Sequence, residues 1–327
     1  MHTARANLQL QKTVTVIAVA LFTIKVIAWY LTKSVLVLTD ALESTVNVAA
    51  GFIGLFSLYI AARPRDANHP YGHGKAEFLS AAVEGSLITI AGFVIIYEAV
   101  YSFIYPRSLK QLDYGILLIS VTAVINYITG YYCIKTGKKN NSLALIAAGR
   151  HLQTDTWSTL GIIVGLVLIR LTGLQWIDSA VAMGLAGYII YTGYRIVRSS
   201  VAGIMDEADK ALLQKMVELL NANRQPNWID LHNLRIIKYG NVLHMDCHLT
   251  VPWYLNVKEA HAEIDRLSAL IKKAFGESVE LFVHADACLN FSCSICQKME
   301  CAVRQHPFGK RIEWTIDNIS RNTRHMA

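Results

Sequence analysis

The chain reads as a polytopic α-helical membrane protein with six transmembrane helices, followed by a C-terminal cytosolic α+β domain of order αββαβ. Three observations predict this: an apolar excess, its confinement to six long stretches before about residue 200, and a change of periodicity after them. Of the 327 residues, 53% are hydrophobic and only 17% charged. Mean hydropathy is +0.34, above what soluble globular chains usually carry.

Crossing a hydrocarbon core of ~30 Å takes ~20 mostly apolar helical residues. Roughly residues 13–31, 35–62, 78–104, 113–135, 142–171 and 177–200 qualify. The first stretch is long for a signal-peptide core, lacks a clear small-residue cleavage site and precedes five more spans, so it is expected to be retained. Loop charge sets the orientation. Arg5, Lys12, Arg63, Arg65, Lys75, Lys135, Lys138, Lys139, Arg195 and Arg198 fall on one side, against Lys33, Arg107, Lys110 and Arg170 on the other. Both termini are therefore expected in the cytoplasm. These loops and a basic tail account for the formal charge of +7. With no basic helix interleaved with aromatics, a nucleic-acid partner is not expected.

Past the sixth span an amphipathic helix is predicted at about 208–222, then strand-like runs Leu231–Tyr239 and Val242–Val251. They meet at Gly240-Asn241, a dipeptide suited to a tight hairpin turn. A helix over Val257–Phe275 and a strand over Val279–His284 complete a unit large enough for one modest core. The expected division is 1–207 for the transmembrane domain, 208–287 for the αββαβ domain and 288–327 for a Cys-rich extension. That extension reads as mostly irregular, with a short helix near Glu313–Ile319.

Inside the spans the informative residues are ionisable, because such groups are expensive there. Glu43 and Asn47 in the second span, and His151 and Asp155 in the fifth, are i, i+4 pairs that each share one helix face. Counting from Ser34 at the outer end and Asn141 at the inner end, both pairs fall ~14–21 Å into the core, so they can meet near the midplane. Four N/O ligands there suit a tetrahedral transition metal such as Zn2+ better than Ca2+ or Mg2+. The competing reading is a polar contact between helices. Asp40 is a candidate hydrogen-bonding partner for a neighbouring helix, Lys25 a snorkelling or paired lysine, and Glu84 and Glu98 cavity-lining or partner-bound groups.

Three further sets lie outside the spans. Asp66, His69 and His73, spaced by Pro70 and Gly72, can close on a metal in a compact turn or belong to a solvated loop. His248, His261, His284 and Asp286 lie at the edges of the small domain and form a plausible Zn2+ set. His232 and His244 have no spacing argument and are expected at the surface. Of six cysteines, Cys288, Cys293, Cys296 and Cys301 crowd into the tail, followed by His306. A reducing cytosol makes disulfides unexpected there, leaving free thiols or a thiolate metal site.

The motifs LTDALESTVN, NHPYGHGKAE, HLQTD, GIMDEAD, EAHAEID and VHAD stand in order along residues 10–287. On these the chain resembles the cation diffusion facilitators, proton-coupled exporters of zinc, iron, manganese, cobalt or related cations. The resemblance implies a homodimer of six-helix protomers with cytosolic domains like a copper chaperone. It implies a transport site at Glu43, Asn47, His151 and Asp155, a loop site at Asp66, His69 and His73, and a cytosolic site at His248, His261, His284 and Asp286. Lys75 and Asp206 match a pair that interlocks the protomers near the inner membrane face. The second span departs from the family pattern of His or Asp followed by Asp: Glu43 is one methylene longer, and Asn47 is neutral. The absence of a long His-rich loop between spans four and five points to a bacterial inner membrane.

The function expected is therefore secondary active transport, not catalysis: efflux of a divalent transition metal, Zn2+ first and Fe, Co, Mn or Ni next, against protons, in contact with membrane lipid. The alternative is a membrane metal sensor that binds metal in its cytosolic domain without moving it. An intramembrane hydrolase is disfavoured, since the sequence has no HExxH pattern.

Overall fold

The computed structural model describes residues 2–61, 63–106, 109–139, 143–239, 242–276 and 279–326. The expected turn at Gly240-Asn241, and Arg107 of the charge comparison, lie outside the described residues. The chain divides into two compact units, residues 1–58 with 79–201 and residues 59–78 with 202–327.

The helices of the first unit are α1 His2–Thr32, α2 Val35–Ala61, α3 Ala76–Ile104, α4 Leu112–Lys139, α5 Leu143–Thr172 and α6 Trp176–Ile204. All six contain a stretch long and apolar enough to cross a membrane. Small and branched residues such as Ala28, Leu36, Ile95, Ile119, Ile162 and Ala186 form the interior. Phe52, Phe56, Tyr97 and Leu171 face outward, as helices solvated by lipid allow. Backbones approach closely where glycine permits it. A Cβ on Gly130 of α4 would stand 2.8 Å from the carbonyl oxygen of Gly149 on α5, so the two helices meet through small residues. The start of α2 is satisfied from another helix: Asp178 of α6 accepts from Ser34 Oγ at 2.5 Å and from the Val35 N–H at 2.6 Å.

The second unit runs α7 Lys210–Ala222, β1 Asp230–Tyr239, β2 Val242–Val251, α8 Val257–Phe275, β3 Val279–Ala287, a 3-10 turn Asn290–Ser294 and α9 Ile316–Ile319. The expected αββαβ order is present. The sheet has the order β1-β2-β3; β1 and β2 are antiparallel, while β3 lies parallel to β2 after the crossover through α8. That helix starts at a capping box, in which Asn256 accepts from the Glu259 N–H and Glu259 accepts from the Asn256 N–H. The apolar faces of α7 and α8 supply Leu213, Met216, Leu220, Leu267 and Ile271 to a core shared with Leu231, Met245 and Leu249 of the sheet.

Two features of this unit depart from a regular αββαβ fold. The register of β1 against β2 shifts by one residue between His232 and Arg235, and Asn233 takes a left-handed backbone with φ 54°. This is a β-bulge, in which two residues of one strand oppose one of the other. The second feature is the tail, which folds back on the core. Trp314 is buried in the same cluster as Leu213 and Leu249, and its backbone exchanges two hydrogen bonds with the Asn221 side chain. Arg224 stacks on the Trp314 ring at 4.1 Å and donates to the carbonyls of Trp228, Ile229 and Ile312. Burial draws the Arg224 guanidinium down to about 10.

Candidate metal centres

In the membrane unit, α2 and α5 each bring polar side chains at helical spacing to a common seam. Asn47 Nδ2 donates to Asp155 Oδ2 at 2.8 Å, and His151 Nε2 stands 3.8 Å from the same oxygen. Asn47, His151 and Asp155 line a cavity of about 350 Å3, with Ser44, Glu84 and Asn126. Glu43, one turn earlier on α2, is not among the residues lining it; it lies within Coulombic reach of Asp155, Asp40 and Lys25. Beside this seam sits a buried ion pair. Lys25 Nζ on α1 is 2.8 Å from Asp40 Oδ1 on α2, and Thr159 Oγ1 on α5 donates to that oxygen at 3.0 Å. Lys25 is thus a paired lysine.

In the 59–78 segment, Asp66 Oδ1 accepts from the backbone N–H groups of Asn68 and His69, closing an Asx turn. The Asp66, His69 and His73 ligand atoms lie within 4.8 Å of one another. Gly72, at φ 91°, supplies the left-handed step before His73. Lys75 Nζ bonds Asp206 Oδ2 at 2.9 Å and the Ile204 carbonyl at 3.2 Å, within one chain. Burial is the largest influence on Lys75 and opposes its charge, but the hydrogen bond and charge of Asp206 together with Tyr239 hold the ammonium above its ordinary value.

A third group forms on the sheet: His232, His248 and Asp286 bring ligand atoms within 4.8 Å of one another. His232 Nε2 and His248 Nδ1 stand 3.5 Å and 3.3 Å from Asp286 Oδ2, and His284 Nδ1 is 3.4 Å from Asp286 Oδ1. His261 stands apart on α8, exposed, with Asp265 at 3.7 Å.

The surface expectation for His232 and His244 is corrected: they are only 3% and 4% exposed. A regular hairpin closing at Tyr239 and Val242 would pair His232 with Leu249. The bulge at Asn233 moves it opposite His248 and onto the ligand face. The available signal was Asn233 itself, a residue type that tolerates the left-handed region. His244 is covered because β2 is the central strand and the Tyr71 and Tyr239 rings pack edge-on against it. Burial pulls its imidazole below the ordinary value.

The tail crosses the sheet cluster. Arg324 Nη2 pairs with Asp286 Oδ1 at 3.0 Å, and His325 Nδ1 is 2.5 Å from Asp230 Oδ1. Asp230 in turn faces His232 Nδ1 at 3.3 Å. Cys288, Cys293, Cys296 and Cys301 line a separate cavity.

The profile of the cation efflux transmembrane domain matches residues 12–205, and that of the cation efflux protein cytoplasmic domain matches residues 208–288. Among similar proteins, the uncharacterized transporter sll1263 of Synechocystis sp. is 33% identical over 244 residues, 75% of this chain and 79% of that protein. The cation-efflux pump FieF of Pectobacterium carotovorum is 27% identical over 293 residues, 87% of this chain and 94% of its own. FieF of Shewanella oneidensis is 27% identical over 270 residues, 82% and 90% of the two chains.

Proposed function

This chain belongs to the cation diffusion facilitator family of cation efflux transporters, and from that premise we propose that it exports a divalent transition metal from the cytoplasm in exchange for protons. The observation that carries this reading is the convergence of Asn47, His151 and Asp155 on one cavity between the spans. Glu43 is the fourth ligand, and one turn of α2 separates it from Asn47. Two carboxylates, an imidazole and a neutral amide balance a divalent charge and suit Zn2+ first, with Fe, Co, Mn and Ni as further substrates. Carboxylates and imidazole bind metal only when deprotonated, so external protons compete with the cargo at Glu43, His151 and Asp155. Asn47 carries no proton.

The working form is a homodimer in a bacterial inner membrane, both termini cytoplasmic. The Lys75–Asp206 pair stiffens the region where the protomers interlock. The loop set Asp66, His69 and His73 and the sheet set His232, His248, His284 and Asp286 hold cytosolic metal. His261, turned to solvent, is available to a second copy. Metal there biases the transporter only if its affinity differs between conformations.

Proteoliposomes test the reading. With an acidic lumen and outward-facing cytosolic domains, they should accumulate Zn2+, and Asp155→Ala or His151→Ala should abolish gradient-driven uptake. Full flux in those variants would overturn the mechanism; binding without flux in the wild type would identify a sensor.

A further inference from the structure

From Cys288 to Arg311 the chain has little to hold it down: Ser292, Ile295 and Cys296 are the buried residues among those described there. Ile295 and Cys296 form a small cluster with Ile229, far short of the core that anchors Trp314. Yet this segment follows a defined path. The N–H of Cys288 continues the pairing of β3 by donating to the Val251 carbonyl at 2.9 Å. Arg304 then ties the loop into a knot, donating to the carbonyls of Cys293, Cys296 and Lys298 at 2.9, 3.0 and 2.8 Å.

All four tail cysteines line the one cavity of about 190 Å3 that this knot encloses, together with Lys298 and Arg304. The Cys293-x2-Cys296 pair closes a turn, with the Cys296 N–H 3.4 Å from the Cys293 carbonyl. The N–H of Gln305 points at Cys293 Sγ at 3.4 Å, a contact that favours a charged sulfur over a neutral one. The trios of described ligand atoms already within 4.8 Å are the two histidine–carboxylate sets, so the thiols share a chamber that has still to contract around an ion. His306 is not among the lining residues.

The geometry points to a structural metal site in which Cys288, Cys293, Cys296 and Cys301 bind a single tetrahedral Zn2+-class cation. Each thiol gives its proton to solvent as a metal–sulfur bond replaces the S–H bond. The resulting centre carries two net negative charges, and Lys298 and Arg304 are placed to offset them. A thiolate tetrahedron is the donor set that selects zinc over harder cations, and its binding energy would fasten a segment whose own apolar contacts are too few. Because Cys288 directly follows β3, two residues after Asp286, the ion would also fix the end of the strand that carries Asp286. This site rests on the tail alone and stands whether or not the membrane site transports zinc.

Full-length protein in detergent, reduced and stripped of metal, is titrated with Co2+. The expected result is a thiolate-to-cobalt charge-transfer band in the near ultraviolet that saturates at about one equivalent. It should persist in Asp155→Ala and His248→Ala and vanish in Cys293→Ser and Cys296→Ser. A serine variant that misfolds would also lose the band, so a second measurement uses the wild type alone: cysteine alkylation followed by mass spectrometry. With free Zn2+ about ten times its Kd, the four tail thiols should react about tenfold more slowly, while the rates at Cys133 and Cys247 stay unchanged. Absence of the band in reduced wild type would overturn the proposal. So would unprotected tail thiols, or a Cys293–Cys296 disulfide that persists in glutathione.

Discussion

Asn233 decides which histidine reaches the cytosolic cluster, and its substitution separates backbone strain from metal chemistry. A left-handed backbone costs an ordinary residue ~1–2 kcal/mol and a β-branched one more. Asn233 Oδ1 is buried without a hydrogen-bond partner, so the side chain adds little beyond its conformational tolerance; its N–H donates to the Arg321 carbonyl at 2.8 Å. Asn233→Gly should therefore keep both fold and metal binding. Asn233→Val should cost about 2 kcal/mol, or expel the bulge and return His232 to the opposite face of β1. Hydrogen exchange by mass spectrometry on full-length protein reads both outcomes. Amides of β1 and β2 in Asn233→Val should exchange about 30-fold faster than in Asn233→Gly, and Zn2+ should no longer slow exchange around His248 and Asp286. If Asn233→Val kept native protection and a full Zn2+ response, the bulge would not be what positions His232.

The pairing of Arg324 with Asp286 sets a positive charge where a cation would bind. One such charge-assisted contact is worth roughly 1 kcal/mol, so Arg324→Ala should shift the Zn2+ midpoint for protection of β3 about fivefold lower; an unchanged midpoint would mean the tail does not compete. Asp209 caps α7 through the Leu212 N–H and meets Lys238 Nζ at 2.5 Å. The Lys238 hydrogen bond first, then the capping N–H groups, hold its carboxyl below the ordinary carboxylate value. Its stabilisation is thus complete above the unfolded value of ~4 and fades as pH falls through the lower folded one. Asp209→Asn should speed exchange of the α7 amides by roughly 1.5- to 5-fold at neutral pH and not in acid. Equal loss at both would contradict the assignment.

Much of this architecture is legible because its signals are local and repetitive. Six long apolar stretches mark the spans, and the switch to period-two alternation marks β1 and β2. The i, i+4 pairs Glu43/Asn47 and His151/Asp155 are equally local. What sequence reading lacked depends on a single backbone state or on distant partners. One left-handed residue inverts the face of His232. His244 is buried by rings from residues 71 and 239, far apart along the chain. Trp314, in a tail without periodicity, enters the core because Asn221 and Arg224, some 90 residues earlier, satisfy the backbone beside it.

The buried contact at Asp40 limits how the membrane unit can change shape. Asp40 belongs to α2, its counter-charge Lys25 to α1 and its hydroxyl donor Thr159 to α5. Separating them in a dry interior would strand a charge at a cost of about 3–5 kcal/mol, more than a routine cycle tolerates. Helices α1, α2 and α5 should thus swing as one piece, with α4 carried along by the glycine contact to α5. Asp178 pins α6 to the start of α2, so away from that pivot the slip plane falls against α3 and α6, themselves packed at Gly85 and Gly193, where a Cβ on Gly85 would stand 2.9 Å from the Gly193 carbonyl. Cargo gripped by α2 and α5 would ride on the moving piece, so opening to one side or the other is a change of neighbours around an intact grip. Spin labels should show the α2–α5 distance constant through the cycle while α5–α6 varies; a varying α2–α5 distance would place the slip plane through the metal itself.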